Sequence, residues 1–271
     1  MTAFPLGPAL LFCPADRPDR FAKAAARADA VILDLEDAVA PADKEAARRN
    51  LIDYPLDPET TLVRLNPVGT PDFEKDLAAL RRTPYLTVMA AKSEDAAALG
   101  EALAGFSVVA LLETALGVVR AAEIAQAPNV SALMWGAEDL LASLGGESSR
   151  GSDGLYRAVA LQTRSTVLLA AGAFGKGAID AIYGNIADTE GLETEARDAV
   201  ASGFAAKACI HPGQVAAVRS AFAPSPAQVA YAGELLAEAE GTPGGVFNFR
   251  GEMIDGPLLT QARQTLRRAG R

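Results

Sequence analysis

Histidine is nearly missing from this chain. His211 is the single residue of that type among 271, and Cys13 and Cys209 are the two cysteines. Neither cysteine has a CxxC partner or a neighbouring histidine, so zinc sites built from such ligands are excluded. Both lie in apolar runs and read as reduced core residues rather than as a disulfide framework. Positive charge is also in deficit: 25 Lys and Arg face 34 Asp and Glu, for a net charge of -9. A chain with a sequence pI near 4.8 offers no broad basic surface for nucleic acid or for an anionic membrane. Long hydrophobic runs are absent as well; none reaches the roughly 20 residues that span a bilayer. The start, Met1-Thr2-Ala3-Phe4-Pro5, has no basic segment before an apolar run, so no signal peptide and a cytoplasmic location are expected. Nucleotide and hydrolase signatures are missing too. There is no P-loop, no GxGxxG in the first turn and no GxSxG, since Gly151-Ser152-Asp153-Gly154 has neither that form nor a strand before it.

Aliphatic residues dominate what is present: 50% of the chain is hydrophobic and only 6% aromatic. Short apolar runs alternate with alanine-rich helical segments. The runs predict strands at 9–13, 30–35, 61–65, 87–90, 108–112, 132–135, 178–182 and 206–210. Several lack polar alternation, as expected of parallel strands covered on both faces. Helices are predicted at 17–28, 43–49, 72–80, 93–103, 117–125, 155–174 and 189–202. Eight such alternations predict a single α/β (β/α)8 barrel over residues 1–222. An open doubly wound sheet is the competing fold, but it usually carries a glycine-rich first turn, and Cys13-Pro14-Ala15-Asp16-Arg17 is not one. Residues 223–271 exceed a minimal barrel and predict an extension. It comprises a helix at 227–240 after one at 214–222, the breaker Gly241-Thr242-Pro243-Gly244-Gly245, an extended 246–249 and a final helix at 258–268.

A barrel collects function at the C-terminal ends of its strands. Ionisable residues follow most of the predicted strands: Asp16 and Arg17, then Asp34, Glu36 and Asp37, Arg64, Lys92, Glu113, Glu138 and Asp139, and His211. Glu113 and Asp139 follow neighbouring strands, which lie about 4.8 Å apart. Two carboxylates on one edge can share a hard cation such as Mg²⁺; equally, each can cap the helix after it. Arg64 can bind a carboxylate or stabilise an oxyanion, or pair with Glu36 or Asp37. Gly136-Ala137-Glu138 offers backbone N–H groups at a helix start, a place for a carboxylate, or an ordinary tight loop. His211, followed by Pro212-Gly213, suits a structural turn better than a general base.

Several ordered strings now resemble one family. Leu11-Phe12-Cys13-Pro14-Ala15-Asp16-Arg17-Pro18, Leu33-Asp34-Leu35-Glu36-Asp37-Ala38-Val39, Val63-Arg64-Leu65-Asn66, Leu112-Glu113-Thr114, Met134-Trp135-Gly136-Ala137-Glu138-Asp139-Leu140 and Cys209-Ile210-His211-Pro212 are similar to the citrate lyase beta-subunit-like family. The strings are short singly and specific together, and they cover nearly the whole chain. The resemblance implies a (β/α)8 barrel, usually trimeric, that uses Mg²⁺ and a CoA thioester. It implies metal binding by Glu113 and Asp139 and substrate binding by Arg64. Gly251-Glu252-Met253-Ile254-Asp255-Gly256-Pro257 looks like the lid of malyl-CoA and citramalyl-CoA lyases, which implies that Asp255 is the acid/base serving a neighbouring subunit.

The implied reaction is cleavage or formation of a 3-hydroxyacyl-CoA from acetyl-CoA and a 2-oxo acid. Arg64 and Glu113 would contact substrate, Gly136, Ala137 and Glu138 would grip the oxo acid, and Glu36 and Asp37 would orient Arg64 or metal-bound water. Lys44, Arg48 and Lys92 are the candidates for CoA phosphates or the wall of the pocket. Alternatives are a beta subunit working on an acyl-carrier substrate inside a citrate lyase complex, a CoA-independent metal-dependent pyruvate aldolase, and a Schiff-base aldolase through Lys92.

Overall fold

The computed structural model describes residues 4–241 and 245–270, so Thr242, Pro243 and Gly244 of the expected breaker lie outside the described residues, as does the start Met1-Thr2-Ala3. Two compact units emerge, Met1–Val218 and Arg219–Arg271.

In the first unit eight parallel strands close into a barrel. They are β1 Ala9–Pro14, β2 Ala30–Asp34, β3 Thr61–Leu65, β4 Thr87–Ala90, β5 Ser107–Leu112, β6 Val130–Trp135, β7 Gly177–Asp180 and β8 Ala206–Cys209. Each pairs with its sequence neighbour, and β1 closes on β8 through Leu10 opposite Ala208. The register sets Asp34 beside Arg64 and Leu112 beside Trp135. Alternate side chains point inward and form one apolar plug that includes Leu10, Ile32, Leu62, Met89, Leu111, Met134 and Ile179. The strands are buried on both faces because helices cover the outside, which is why the runs lack alternation.

Caps decide where the helices begin. Thr70, Asp95, Thr114 and Asp188 each accept a backbone N–H with the side chain, opening Pro71–Leu80, Ala96–Ala102, Ala115–Val119 and Thr189–Ser202. Several expected helices come out differently; the ones at 43–49 and 93–103 become Lys44–Asp53 and Ala96–Ala102. The one at 17–28 is a single turn, Phe21–Ala25, after a 3-10 turn at Pro18–Arg20. The one at 117–125 breaks at Arg120 into Ala115–Val119 and Ala121–Gln126. The one at 155–174 begins only at Ala158. A further helix, Ala137–Ser143, occupies the segment where only a helix start was read.

The second unit folds on a small core of its own. Helices Pro226–Gly241 and Gly256–Arg268 bury Ala232, Leu235 and Ala262 together with Ile254 of a short hairpin. That hairpin pairs β9 Phe247–Phe249 with β10 Glu252–Ile254 through a turn in which Arg250 and Gly251 both have positive φ. Among the described residues no helix is long and apolar enough to cross a membrane.

Candidate active site

The inward parity of the strands continues past the apolar plug and brings charge to the C-terminal mouth. Asp34 follows Ile32 on the inner face of β2, Arg64 follows Leu62 on β3, and Glu113 follows Leu111 just beyond β5. All three are buried. The Arg64 guanidinium is held from two sides. Its Nε and Nη2 donate to the Asp34 carboxylate at 2.8 and 2.6 Å, and its Nη1 forms an ion pair with Glu36 at 2.8 Å. The Phe12 ring lies 5.0 Å beneath it. Three contacts on a planar fork fix its orientation, and an arginine so fixed presents its remaining donors in one direction. Asp34 also accepts the N–H of Glu36 at 2.9 Å, so one carboxylate shapes both the arginine and the loop that carries Glu36.

Glu113 is 2% exposed, and its Oε1 accepts the backbone N–H of Lys92 at 3.0 Å. Lys92 reaches it with a φ of +47°, a left-handed conformation that costs a non-glycine residue roughly 1–2 kcal/mol. On the other side Glu113 meets Gly136; a Cβ built there would sit 2.9 Å from its Oε2, so only glycine lets the carboxylate lie flat at this point. Burial, together with the negative charges of Asp139 and Glu36, pushes the Glu113 carboxyl up to about 8. Asp139 stands in the first turn of helix Ala137–Ser143, with a half-open side chain, and the Lys92 ammonium lies 3.6 Å from its Oδ1.

This donor set fits a hard divalent cation. Mutually repelling carboxylates at one edge gain most from a positive charge between them, and Mg²⁺ takes one or two carboxylates with waters and substrate oxygens. Among the described residues no group of three or more His, Cys, Asp and Glu converges as a dedicated metal cage, which is also what a Mg²⁺ site needs least.

The remaining expectations sort by position. Glu36 does pair with Arg64, whereas Asp37 faces the Lys92 ammonium at 3.3 Å instead. Lys92 is half-buried at the mouth and bonds Glu36 with its Nζ. Gly136 and Ala137 open the helix, and Glu138 accepts the Ser149 hydroxyl at 2.5 Å. Lys44 and Arg48, expected near CoA phosphates, need correction. The Lys44 ammonium is buried and gives its three donors to Leu35 O, Glu36 O and Asn66 Oδ1, at 2.8, 3.0 and 2.8 Å. Arg48 is buried against Asp76, Asp72 and Glu45. Both serve the helix–strand layer: Lys44 spends all three donors there, and the Arg48 side chain is turned onto three carboxylates and is almost wholly buried. His211 caps its own turn, its Nδ1 accepting the Gly213 N–H at 3.1 Å. Cys13 and Cys209 are buried and are not joined in a disulfide, and burial pushes the Cys13 thiol up to about 11. Asp255 belongs to the second unit, where it caps helix Gly256–Arg268.

Two features escaped the sequence reading. Asp34 was read at the end of strand two but not as the partner of Arg64, a role given to Glu36 or Asp37, although its even spacing from Ala30 and Ile32 assigns it to the inner face. A buried network centred on Asp180 left no sequence signal, because its members are spread from Trp135 to Lys207.

Comparison with known proteins gives a consistent picture. A family model described as HpcH/HpaI aldolase/citrate lyase matches residues 9–212. The chain is 58% identical over 264 residues to a citrate lyase subunit beta-like protein of Mycobacterium tuberculosis, covering 97% of this chain and 96% of that one. It is 33% identical to the mitochondrial citramalyl-CoA lyase of Homo sapiens, over 88% of this chain and 78% of that one. With the (3S)-malyl-CoA thioesterase of Cereibacter sphaeroides it shares 35% identity over 89% and 87% of the two chains. Among solved structures, the Mycobacterium tuberculosis protein CitE in complex with magnesium, acetoacetate and coenzyme A superposes with a TM-score of 0.93 at 57% identity, covering 98% of this chain and 99% of that one.

Proposed function

As the chain belongs to the HpcH/HpaI aldolase/citrate lyase family, whose members are magnesium-dependent carbon–carbon lyases, we propose that it cleaves or forms a 3-hydroxyacyl-CoA such as malyl-CoA or citramalyl-CoA. The products of cleavage are acetyl-CoA and a 2-oxo acid. One observation carries the reading. Glu113 and Asp139 share the barrel mouth with an arginine that Asp34 and Glu36 have already oriented. A CoA thioester is favoured over an acyl-carrier substrate because two relatives are named for CoA thioesters, citramalyl-CoA lyase and (3S)-malyl-CoA thioesterase, and coenzyme A is bound in the CitE complex.

Glu113 and Asp139 hold the cation. When bound, Mg²⁺ supplies Lewis acidity toward the hydroxyl and carboxylate oxygens of the substrate. Ala137 and Glu138 present backbone N–H groups to the 2-oxo acid carboxylate, and Gly136, whose own N–H donates to Leu112 O at 3.2 Å, lets the chain pass close to Glu113 at the start of that segment. In cleavage the hydroxyl proton passes to solvent, the carbonyl of the 2-oxo acid forms, and the electron pair of the breaking bond moves into the thioester as an enolate. Arg64 stabilises the enolate oxygen, a contribution of roughly 3 kcal/mol for one preorganised donor. Asp255 gives its proton to the enolate carbon, completing the methyl group of acetyl-CoA; in synthesis it removes that proton. Lys92 lines the mouth beside Glu36, where it screens the carboxylates and borders the thioester. The second unit acts as a lid for a neighbouring subunit in a cytoplasmic homotrimer.

The test is turnover of a panel of acyl-CoAs by the purified chain with Mg²⁺, scored for glyoxylate, pyruvate and oxaloacetate. One thioester is expected to be cleaved and EDTA to stop it; turnover that ignores chelation would sink the metal assignment. In the same assay Asp255→Ala is expected to lose solvent exchange of the acetyl-CoA methyl protons, and full exchange would assign the proton to another group.

A further inference from the structure

Outside the barrel, behind β6 to β8, lies a polar network that the proposed chemistry does not use. Asp180 is fully buried at the end of β7, and it points away from the barrel interior because its neighbour Ile179 points in. Three donors converge on it: Trp135 Nε1 at 2.8 Å, Arg164 Nε at 2.9 Å and Lys207 Nζ at 3.1 Å. Burial alone would push the Asp180 carboxyl up, but Lys207, Arg164 and Trp135 outweigh it and hold it below the usual carboxylate range. Lys207, itself with no exposed surface, also donates to Glu195 Oε1 at 2.8 Å. The other oxygen of Glu195 accepts Arg150 Nη2 at 2.7 Å. The Arg150 guanidinium lies 3.6 Å over the Tyr156 ring, and Tyr156 meets Trp135 edge-on at 5.2 Å. The circuit therefore leaves from Trp135 and returns to it.

Its position gives it meaning. Trp135 immediately precedes Gly136, and Arg150 immediately follows Ser149, whose hydroxyl holds the Glu138 carboxylate. Segment 136–138 is thus tied at both ends to one rigid support. Buried ion pairs add little net stability compared with apolar packing of the same shape, so stability is a weak reason for five charged side chains here. Fixed geometry is a better one, because a misplacement of about 1 Å in a binding group can cost on the order of a hundredfold in rate.

We propose that Arg150 is a positioning residue for the carboxylate-gripping segment Gly136–Glu138, acting from behind through Glu195 and Ser149. The proposal rests on the reading that this segment holds the 2-oxo acid, and the two can fail separately.

Full-length Arg150→Met, Arg150→Lys and Ser149→Ala proteins, loaded with Mg²⁺, test it. Hydrogen exchange reads the backbone directly, and calorimetry with oxaloacetate reads the site. In Arg150→Met the amides of residues 136–144 are expected to exchange about tenfold faster, with strands β1 to β5 and Mg²⁺ affinity unchanged. Oxaloacetate binding is expected to weaken by ten- to a hundredfold, with Arg150→Lys intermediate. Ser149→Ala, which leaves every ion pair intact, is expected to loosen residues 136–144 in the same way. Unchanged exchange there in both Arg150→Met and Ser149→Ala overturns the proposal, as does a uniform acceleration across β6 to β8. Faster exchange with unaltered oxaloacetate affinity upholds the positioning role and removes the oxo acid from this segment.

Discussion

Asp34 and Asp180 invite comparison. Each is the last residue of its strand, each is fully buried, and each takes a two-point contact from an arginine: Arg64 in one case, Arg164 in the other. They nonetheless do different work, because strand parity sends them to opposite faces. Asp34 shares the inner face of β2 with Ile32, so its arginine looks into the mouth of the barrel. Asp180 follows the inward Ile179, so its partners lie between the barrel and the helices. The same pair of residue types faces the proposed site in one place and the layer between barrel and helices in the other. Which it becomes depends on a single step along a strand.

The sharpest way to break this comparison is to remove the scaffold carboxylate. Asp180→Ala would leave Lys207 and Arg164 buried with one partner fewer and is expected to cost about 3–5 kcal/mol in chemical denaturation. A loss under 1 kcal/mol would mean that the network relaxes freely. At the mouth, Arg64→Lys keeps a charge beside Asp34 but gives up the fork. Stability is expected to change little while kcat falls on the order of a hundredfold, read by steady-state kinetics on folded protein. If stability falls as far as activity, Asp34 and Asp180 are scaffold alike. Gly136→Ala places a methyl against the Glu113 carboxylate and is expected to weaken Mg²⁺ binding by roughly tenfold, measured by calorimetry.

Per pH unit, the gentlest effect is a pH dependence of the metal-free mouth. Glu113 is raised to about 8, and only its carboxylate form binds a cation. Mg²⁺ affinity is therefore expected to rise with pH, at most about tenfold per unit, and to level off above about 8, with proton release on binding. The stability sign is the reverse in the metal-free protein. A raised carboxyl contributes fully below its ordinary value of 4.5, and that contribution is lost as pH rises through about 8. Thermal melts with and without Mg²⁺ across pH 5–9 should diverge toward the alkaline end.

Much of this was legible from residue order. The runs at 61–65 and 87–90 coincide with β3 and β4, since short β-branched and aliphatic segments bounded by polar turns have few other options. Glu113 and Asp139 were legible as a pair because neighbouring parallel strands place consecutive edges side by side. Helix lengths were less so; the break at Arg120 and the close approach of Gly117 to the Ser93 carbonyl are features that periodicity does not contain. Lys44 and Arg48 misled for a related reason. A cation in a sequence carries no sign of whether a buried carbonyl or carboxylate will claim it, as Asn66 and Asp76 do here.

By itself the sequence determined the alternation of strands and helices, the charged residues at the strand ends, and the family through ordered motifs, because each is a local pattern or a string. The tertiary structure decided which charges act together. Asp34 rather than Asp37 orients Arg64, Glu113 sits against Gly136, and Asp180 gathers Trp135, Arg164 and Lys207 from three elements. Burial makes such partnerships obligatory, since an unpaired charge inside a protein costs more than the fold can spare, and only the closed barrel determines which partner is within reach.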